Sequence, residues 1–330
     1  MKHCQSRRPA ALAVVCLLTL ACAACDPAPY EGDLVPATVV DNPALPAISI
    51  MVDGHSRRIH CRSFGDQAAP VLLVMHGSLS DLRAYLPFKA FTDRYRVVLW
   101  DMRGNGLSER VPADELDYAD MAEELHALKL HFSPGRPVTA VGHSWSAVFV
   151  ARYLAAYPGE LDQAVLLEPA PLSTAIAGHL PAIINLSRIG YLDMFWSAEM
   201  LSPLDHARLD FRTQGMLHSA VRNFFLDPDH LPDWPVWRVG GLALLHWEAG
   251  VVGDYDFTGG LAGFGGEVLL VGSSASPIGY AFQETWHQGL FSKARSLRIE
   301  NSGHRMITEQ WGALEAGIRA FLKEYRGASS

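Results

Sequence analysis

The sequence predicts an α/β protein: a mostly parallel eight-stranded sheet with helices on both faces, interrupted once by an inserted helical segment. Two observations predict it. Short β-branched runs alternate with stretches of helical periodicity over residues 46–170 and 265–330. Between them, over residues 171–264, the strand pattern stops and Leu, Phe, Trp, His and Pro dominate. Strands joined through helices imply right-handed crossovers and a parallel sheet covered on both faces. An interval of that size is too long for a loop and reads as several short helices forming a lid.

Taken in order, Ile48–Val52 and Arg57–Arg62 read as an antiparallel hairpin at one edge. Val71–Met75 is a buried strand ended by His76-Gly77, and Tyr95–Trp100 is the next, followed by the polar glycine loop Asp101–Glu109. Tyr118–His131 has helical spacing, with Met121, Leu125, Leu128 and Leu130 as its apolar positions. Pro137–Val141 is a strand that runs into a helix over Trp145–Tyr157. Gln163–Leu167 and Glu267–Val271 are strands on either side of the insertion. Phe282–Leu290, Ala294–Ile299 and Gln310–Tyr325 close the chain as helix, strand and helix. The aromatic residues Phe195, Trp196, Phe224, Phe225, Trp234, Trp237 and Trp247 read as the lid's own core before they read as a pocket lining.

Residues 1–25 read as a secretory signal outside the fold. Lys2, Arg7 and Arg8 precede an apolar run, Ala10–Leu20, which meets small residues at Ala21, Ala23 and Ala24. That run is too short to span a bilayer, which takes about 20 apolar residues. Removing these three positive charges from the net −8 leaves −11. Such an acidic chain lacks the basic face that nucleic acid requires. Cys22-Ala23-Ala24-Cys25-Asp26 resembles a bacterial lipobox, with Cys22 departing from the usual Leu or Val. That resemblance makes Cys25 the lipid-attachment residue and the protein periplasmic or membrane-anchored; simple cleavage would leave it secreted. Residues 26–45, with Pro27, Pro29, Pro36 and Pro43 and with Pro46 just beyond, read as an extended tether. Cys4, Cys16 and Cys22 leave with the signal, so Cys61 stands alone in the folded body and no disulfide framework exists.

Val141-Gly142-His143-Ser144-Trp145-Ser146 sits where a strand turns sharply into a helix. Such a turn pushes the serine hydroxyl above the sheet and requires small residues two before and two after it. Gly142 meets that requirement, and Ser146 stands where glycine is more usual. A serine hydroxyl is a poor nucleophile at neutral pH, so a base must take its proton. Ser302-Gly303-His304 follows the last strand and offers His304 as that base.

With His76-Gly77-Ser78 and Asp101-Met102-Arg103-Gly104-Asn105-Gly106-Leu107-Ser108, these motifs resemble the α/β-hydrolase superfamily, particularly its lid-bearing members. The resemblance implies Ser144 as nucleophile, His304 as base, and backbone N–H groups of Ser78 and Trp145 as the oxyanion hole. It implies no cofactor and no metal, and no H-E-x-x-H or paired-cysteine motif asks for one. Asp227-Pro228-Asp229-His230 with Asp233 reads as a solvated loop rather than a metal site. His76 and His143 read as structural residues shaping their turns, while Asp101, Arg103 and Ser108 read as pins of the glycine loop.

The triad acid is less direct. The superfamily most often carries it in the turn after the strand that follows the lid, but here that turn is Gly272-Ser273-Ser274-Ala275-Ser276-Pro277, with Ser276 at the acid's place. Some relatives carry it one strand earlier, where this chain has Leu167-Glu168-Pro169. Glu168 is therefore the preferred acid, with Asp254 or Asp256 in reserve. The leading expectation is an exported serine hydrolase that cuts an ester, lactone or related acyl bond of a small, fairly apolar molecule. A proline-iminopeptidase-like aminopeptidase, with Glu199 or Glu248 holding the substrate amine, and a non-catalytic binding module on the same fold are the alternatives.

Overall fold

The computed structural model describes residues 37–181, 205–231, 236–252 and 255–324. Among them, eight strands form one sheet: β1 (Ala47–Val52), β2 (His55–Phe64), β3 (Val71–Met75), β4 (Arg96–Trp100), β5 (Val138–His143), β6 (Leu161–Leu167), β7 (Glu267–Ser273) and β8 (Ala294–Ile299). Their order is β1-β2-β4-β3-β5-β6-β7-β8. β1 pairs β2 and β2 pairs β4 antiparallel, and the remaining neighbours pair parallel. The expected edge hairpin and parallel sheet are both present.

Every residue of β3 and β5 is buried, as a strand covered on both faces requires. Alternation divides the apolar residues between two cores. Leu73, Met75, Val98 and Trp100 join one core, and Leu72, Val74, Val97 and Leu99 the other. The first core receives Leu125 from α1 (Tyr118–Phe132) and Phe149 from α2 (Trp145–Ala156). α1 begins at Asp117, whose side chain accepts the N–H groups of Ala119 and Asp120 while Asp120 answers the Asp117 N–H, a reciprocal capping box.

The insertion between β6 and β7 contains α3 (Thr174–Ala177), α4 (His206–Val221) and α5 (Gly241–Val252), with 3-10 turns at Arg222–Phe224 and Leu261–Gly263. Its two ends are stitched together: Thr174 N–H donates to Tyr255 O and Phe257 N–H to Leu172 O. Trp247 is fully buried and its indole N–H donates to Leu116 O at 2.9 Å. Phe195, Trp196 and Trp234 lie outside the described residues. The chain closes with α6 (Tyr280–Trp286), α7 (Met306–Glu309) and α8 (Trp311–Glu324), whose Leu314 and Ile318 pack into the second core.

Two features differ from expectation. Leu82–Asp93 forms a 3-10 run that packs Tyr85, Phe88 and Phe91 into the second core. The last part of the stretch read as a tether is folded onto the body: Thr38 and Val39 are buried, and Val39 N–H donates to Leu107 O at 2.8 Å. Val39 is apolar and finds cover there, which an extended tether would deny it.

Candidate active site

β5 ends at His143 and α2 begins at Trp145, leaving Ser144 alone in the turn, with φ 59° and ψ −121°. A left-handed φ costs a non-glycine residue about 1–3 kcal/mol and persists only where its surroundings enforce it. Here Ser144 N–H donates to Leu167 O at 2.9 Å. A β-carbon on Gly142 would lie 2.6 Å from Ala147 Cα and from Ser146 O, so only glycine fits. Ser146 is more than a small residue. Its hydroxyl donates to Met75 O and accepts from His143 N–H, both at 2.8 Å, which ties the turn to the end of β3.

Glu168 follows β6, is fully buried and has φ 40°. A carboxylate out of water is costly unless donors surround it. Ser273 supplies two, its N–H at 2.6 Å and its hydroxyl at 2.5 Å, both to Oε1. His304 Nδ1 meets Oε2 at 2.5 Å. Burial pushes the Glu168 carboxyl up, but the hydrogen bonds from His304 and Ser273 outweigh it and hold it below the usual carboxylate range. An ionised carboxylate only accepts, so His304 donates from Nδ1, and in the neutral ring Nε2 is the basic nitrogen.

His304 sits in the turn after β8 with 8% of its surface exposed. Its backbone N–H donates to Phe224 O at 2.6 Å, and its ring lies 5.3 Å from the Phe224 ring. Glu168 and His304 are thus in direct contact. His304 is joined to the serine turn through His143, whose Nε2 lies 2.9 Å from His304 O.

Trp145 is the first residue of α2, so its N–H lies at the helix N-terminus beside Ser144. The Gly77-Ser78 turn runs against the serine turn: a β-carbon on Gly77 would lie 3.0 Å from His143 O. His76 Nε2 accepts Met102 N–H at 3.0 Å, so its Nδ1 donates to Gly77 O at 2.8 Å. Beneath these turns Asp101 is fully buried, accepts from Leu82 N–H and Leu107 N–H, and pairs with His60. Ser108 donates to Asp101 O, and Arg103 donates to Glu124 at 3.0 Å. The glycine loop is a scaffold.

Asp256 is exposed and accepts from Thr258, while Cys25, Glu199, Asp233 and Asp254 lie outside the described residues. Asp227 pairs with His230 and Asp229 with Arg222 on the exposed surface. Among the described residues no group of three or more His, Cys, Asp or Glu could hold a metal ion. Sequence reasoning missed Ser273 and also Glu309. Glu309 accepts Leu226 N–H at 2.8 Å and Gly303 N–H at 2.7 Å, and so joins the histidine turn to the insertion. The signal for Ser273 was present: a carboxylate ending a buried strand demands donors, and the next strand of the sheet ends in serines.

Residues 70–207 match the family described as alpha/beta hydrolase fold. The chain is 24% identical over 124 residues to the proline iminopeptidase PfmaB of Pestalotiopsis fici, covering 36% of this chain and 43% of that one. It spans less than half the length of the curated relatives it matches. Among solved structures, the bromoperoxidase from Bacillus anthracis aligns with TM-score 0.66 at 18% identity, covering 84% of this chain and 100% of that one. A thermophilic esterase from Thermogutta terrifontis aligns with TM-score 0.64 at 15% identity, covering 84% and 98%. The match over residues 70–207, the strand order and the likeness to these structures agree on the alpha/beta hydrolase fold.

Proposed function

We propose that the chain is an exported serine hydrolase that cleaves an ester, lactone or related acyl bond of a small, fairly apolar substrate through Ser144, His304 and Glu168. The buried Glu168–His304 contact, one hydrogen bond away from the neighbour of a strained serine, carries this reading. His304 Nε2 takes the hydroxyl proton as Ser144 Oγ bonds to the substrate's carbonyl carbon. Charge collects on the carbonyl oxygen beside the N–H groups of Ser78 and Trp145; one such donor lowers the barrier by about 3–4 kcal/mol. His304 then gives its proton to the leaving oxygen, that C–O bond breaks, and the acyl group stays on Ser144. Water attacks the acyl carbon while His304 takes its proton, and that proton returns to Ser144 Oγ as the acid product leaves. Glu168 stays ionised throughout and stabilises the imidazolium without taking its proton.

The order of residues 1–25 supports export, and Cys25 is the residue a lipid would modify. A second reading, an aminopeptidase acting on N-terminal proline, draws on the likeness to PfmaB. The His76-Gly77-Ser78-Leu79 turn departs from the H-G-G-P-G that such enzymes usually carry. Rates on short-chain p-nitrophenyl esters and on proline arylamides, measured side by side, separate the two. Ester cleavage well above arylamide cleavage is expected, and the reverse ratio would replace the esterase reading with the peptidase one.

A further inference from the structure

The three reactive turns come from strands that do not all touch. β3 and β5 are neighbours, but β8 lies three positions beyond β5 in the sheet, roughly 14 Å away at about 4.8 Å per strand. Strand pairing alone therefore does not set the place of His304 relative to Ser144. Hydrogen bonds across the top of the sheet do, and two side chains outside the triad make them.

Counting donors gives this chain of bonds a single direction. Gly77 N–H donates to Tyr85 Oη at 2.8 Å, and the Arg305 guanidinium also hydrogen-bonds it. Both are donors only, so the one Tyr85 hydroxyl proton goes to His143 Nδ1, 2.6 Å away. His143 then carries its single proton on Nε2 and gives it to His304 O at 2.9 Å. Tyr85, His143 and Arg305 are all buried. Burial, with His304 and Arg305 nearby, pushes His143 well below its usual value, and burial pushes the Tyr85 phenol up to about 12. Both remain neutral across ordinary pH, and each has its hydrogen-bonding groups matched in a place where a lost partner cannot be replaced by water.

We propose that Tyr85 and His143 are positioning residues that hold the Gly77-Ser78 turn, the Ser144 turn and the His304 turn in one register for acyl transfer. The inference rests on the triad reading of Ser144, His304 and Glu168. It assigns the residue before the nucleophile, and a tyrosine from the 3-10 run, to the alignment of base and oxyanion donors.

The test uses the purified full chain and its Tyr85→Phe, His143→Leu and His143→Gln variants. Active sites are counted with a fluorophosphonate, and acylation by p-nitrophenyl acetate is followed in the pre-steady state per counted site. Tyr85→Phe should slow acylation per site by about 30- to 100-fold with KM within about twofold, the signature of lost alignment rather than lost binding. His143→Leu should lose at least as much. His143→Gln, which keeps an amide N–H near the place of Nε2–H, should recover about tenfold over leucine. A merely structural role would lower Tm or the number of counted sites and leave the rate per site at the wild-type value. That result in Tyr85→Phe, which removes only one hydroxyl, would overturn the inference even if the leucine variant failed to fold. Labelled wild type beside unchanged variants removes this inference alone; wild type that neither labels nor turns over removes the triad reading and the inference with it.

Discussion

Ser273 places two donors on one oxygen of Glu168, and His304 places one on the other. Removing the hydroxyl leaves the Ser273 N–H in place but withdraws a bond that favours the ionised carboxyl. Ser273→Ala should therefore raise the Glu168 pKa and move the acid limb of kcat/KM to higher pH, with turnover lowered by about tenfold. The pH profile of ester hydrolysis checks it; an unmoved acid limb would mean that the hydroxyl plays no part. Ser144 was legible because its local pattern, Gly-x-Ser-x-small after an apolar strand, is itself the cause of the turn. His304 was legible from its place after the last strand. Ser273 was legible only as one of the serines after the next strand; which of them meets Glu168 depends on the register of β6 against β7, where Leu167 opposes Val271, and no local pattern encodes that pairing.

At the scale of elements, strands and long helices were legible because their periods, 2 and 3.6, are written in the apolar residues. The 3-10 run was not read, yet it has its own mark: Leu82, Tyr85, Phe88 and Phe91 recur every third residue and are all buried, as three residues per turn requires. Pro87 inside the run argues against an ordinary helix. The start of α1 carries a pH dependence. Burial, with Asp53 and Asp117 beside it, pushes the half-buried Asp120 carboxyl up to about 7, against about 3.9 in an unfolded chain. Between those values the folded chain keeps a proton that the unfolded chain releases, so this contribution to stability is greatest at low pH and is lost as pH rises through 7. Asp120→Asn should match wild type below pH 4 and exceed it at pH 8, by about 1 kcal/mol after solvent screening of a partly exposed group. Thermal unfolding at the two pH values checks this; a difference independent of pH would contradict it.

Across the whole molecule, the insertion was visible as a loss of strand periodicity, and its ends follow β6 and precede β7. Its seating on the histidine turn was not visible, since Leu226 and Glu309 meet across 83 residues of sequence. Phe224 O receives His304 N–H, and β-carbon space at Gly303 is closed by Phe224 O at 2.4 Å, so the insertion and the His304 turn share one contact. Glu309→Ala should loosen that contact, quicken proteolysis within residues 205–231 and lower turnover by about tenfold. Unchanged cleavage and turnover would show that the carboxylate is dispensable. The central claim, a Ser144–His304–Glu168 triad, is tested most directly by covalent labelling of the purified protein with a fluorophosphonate. Wild type should label, Ser144→Ala and His304→Ala should not, and Glu168→Gln should label about 10³- to 10⁴-fold more slowly. A well-folded wild type that never labels, or a Ser144→Ala variant that labels as wild type does, would contradict it.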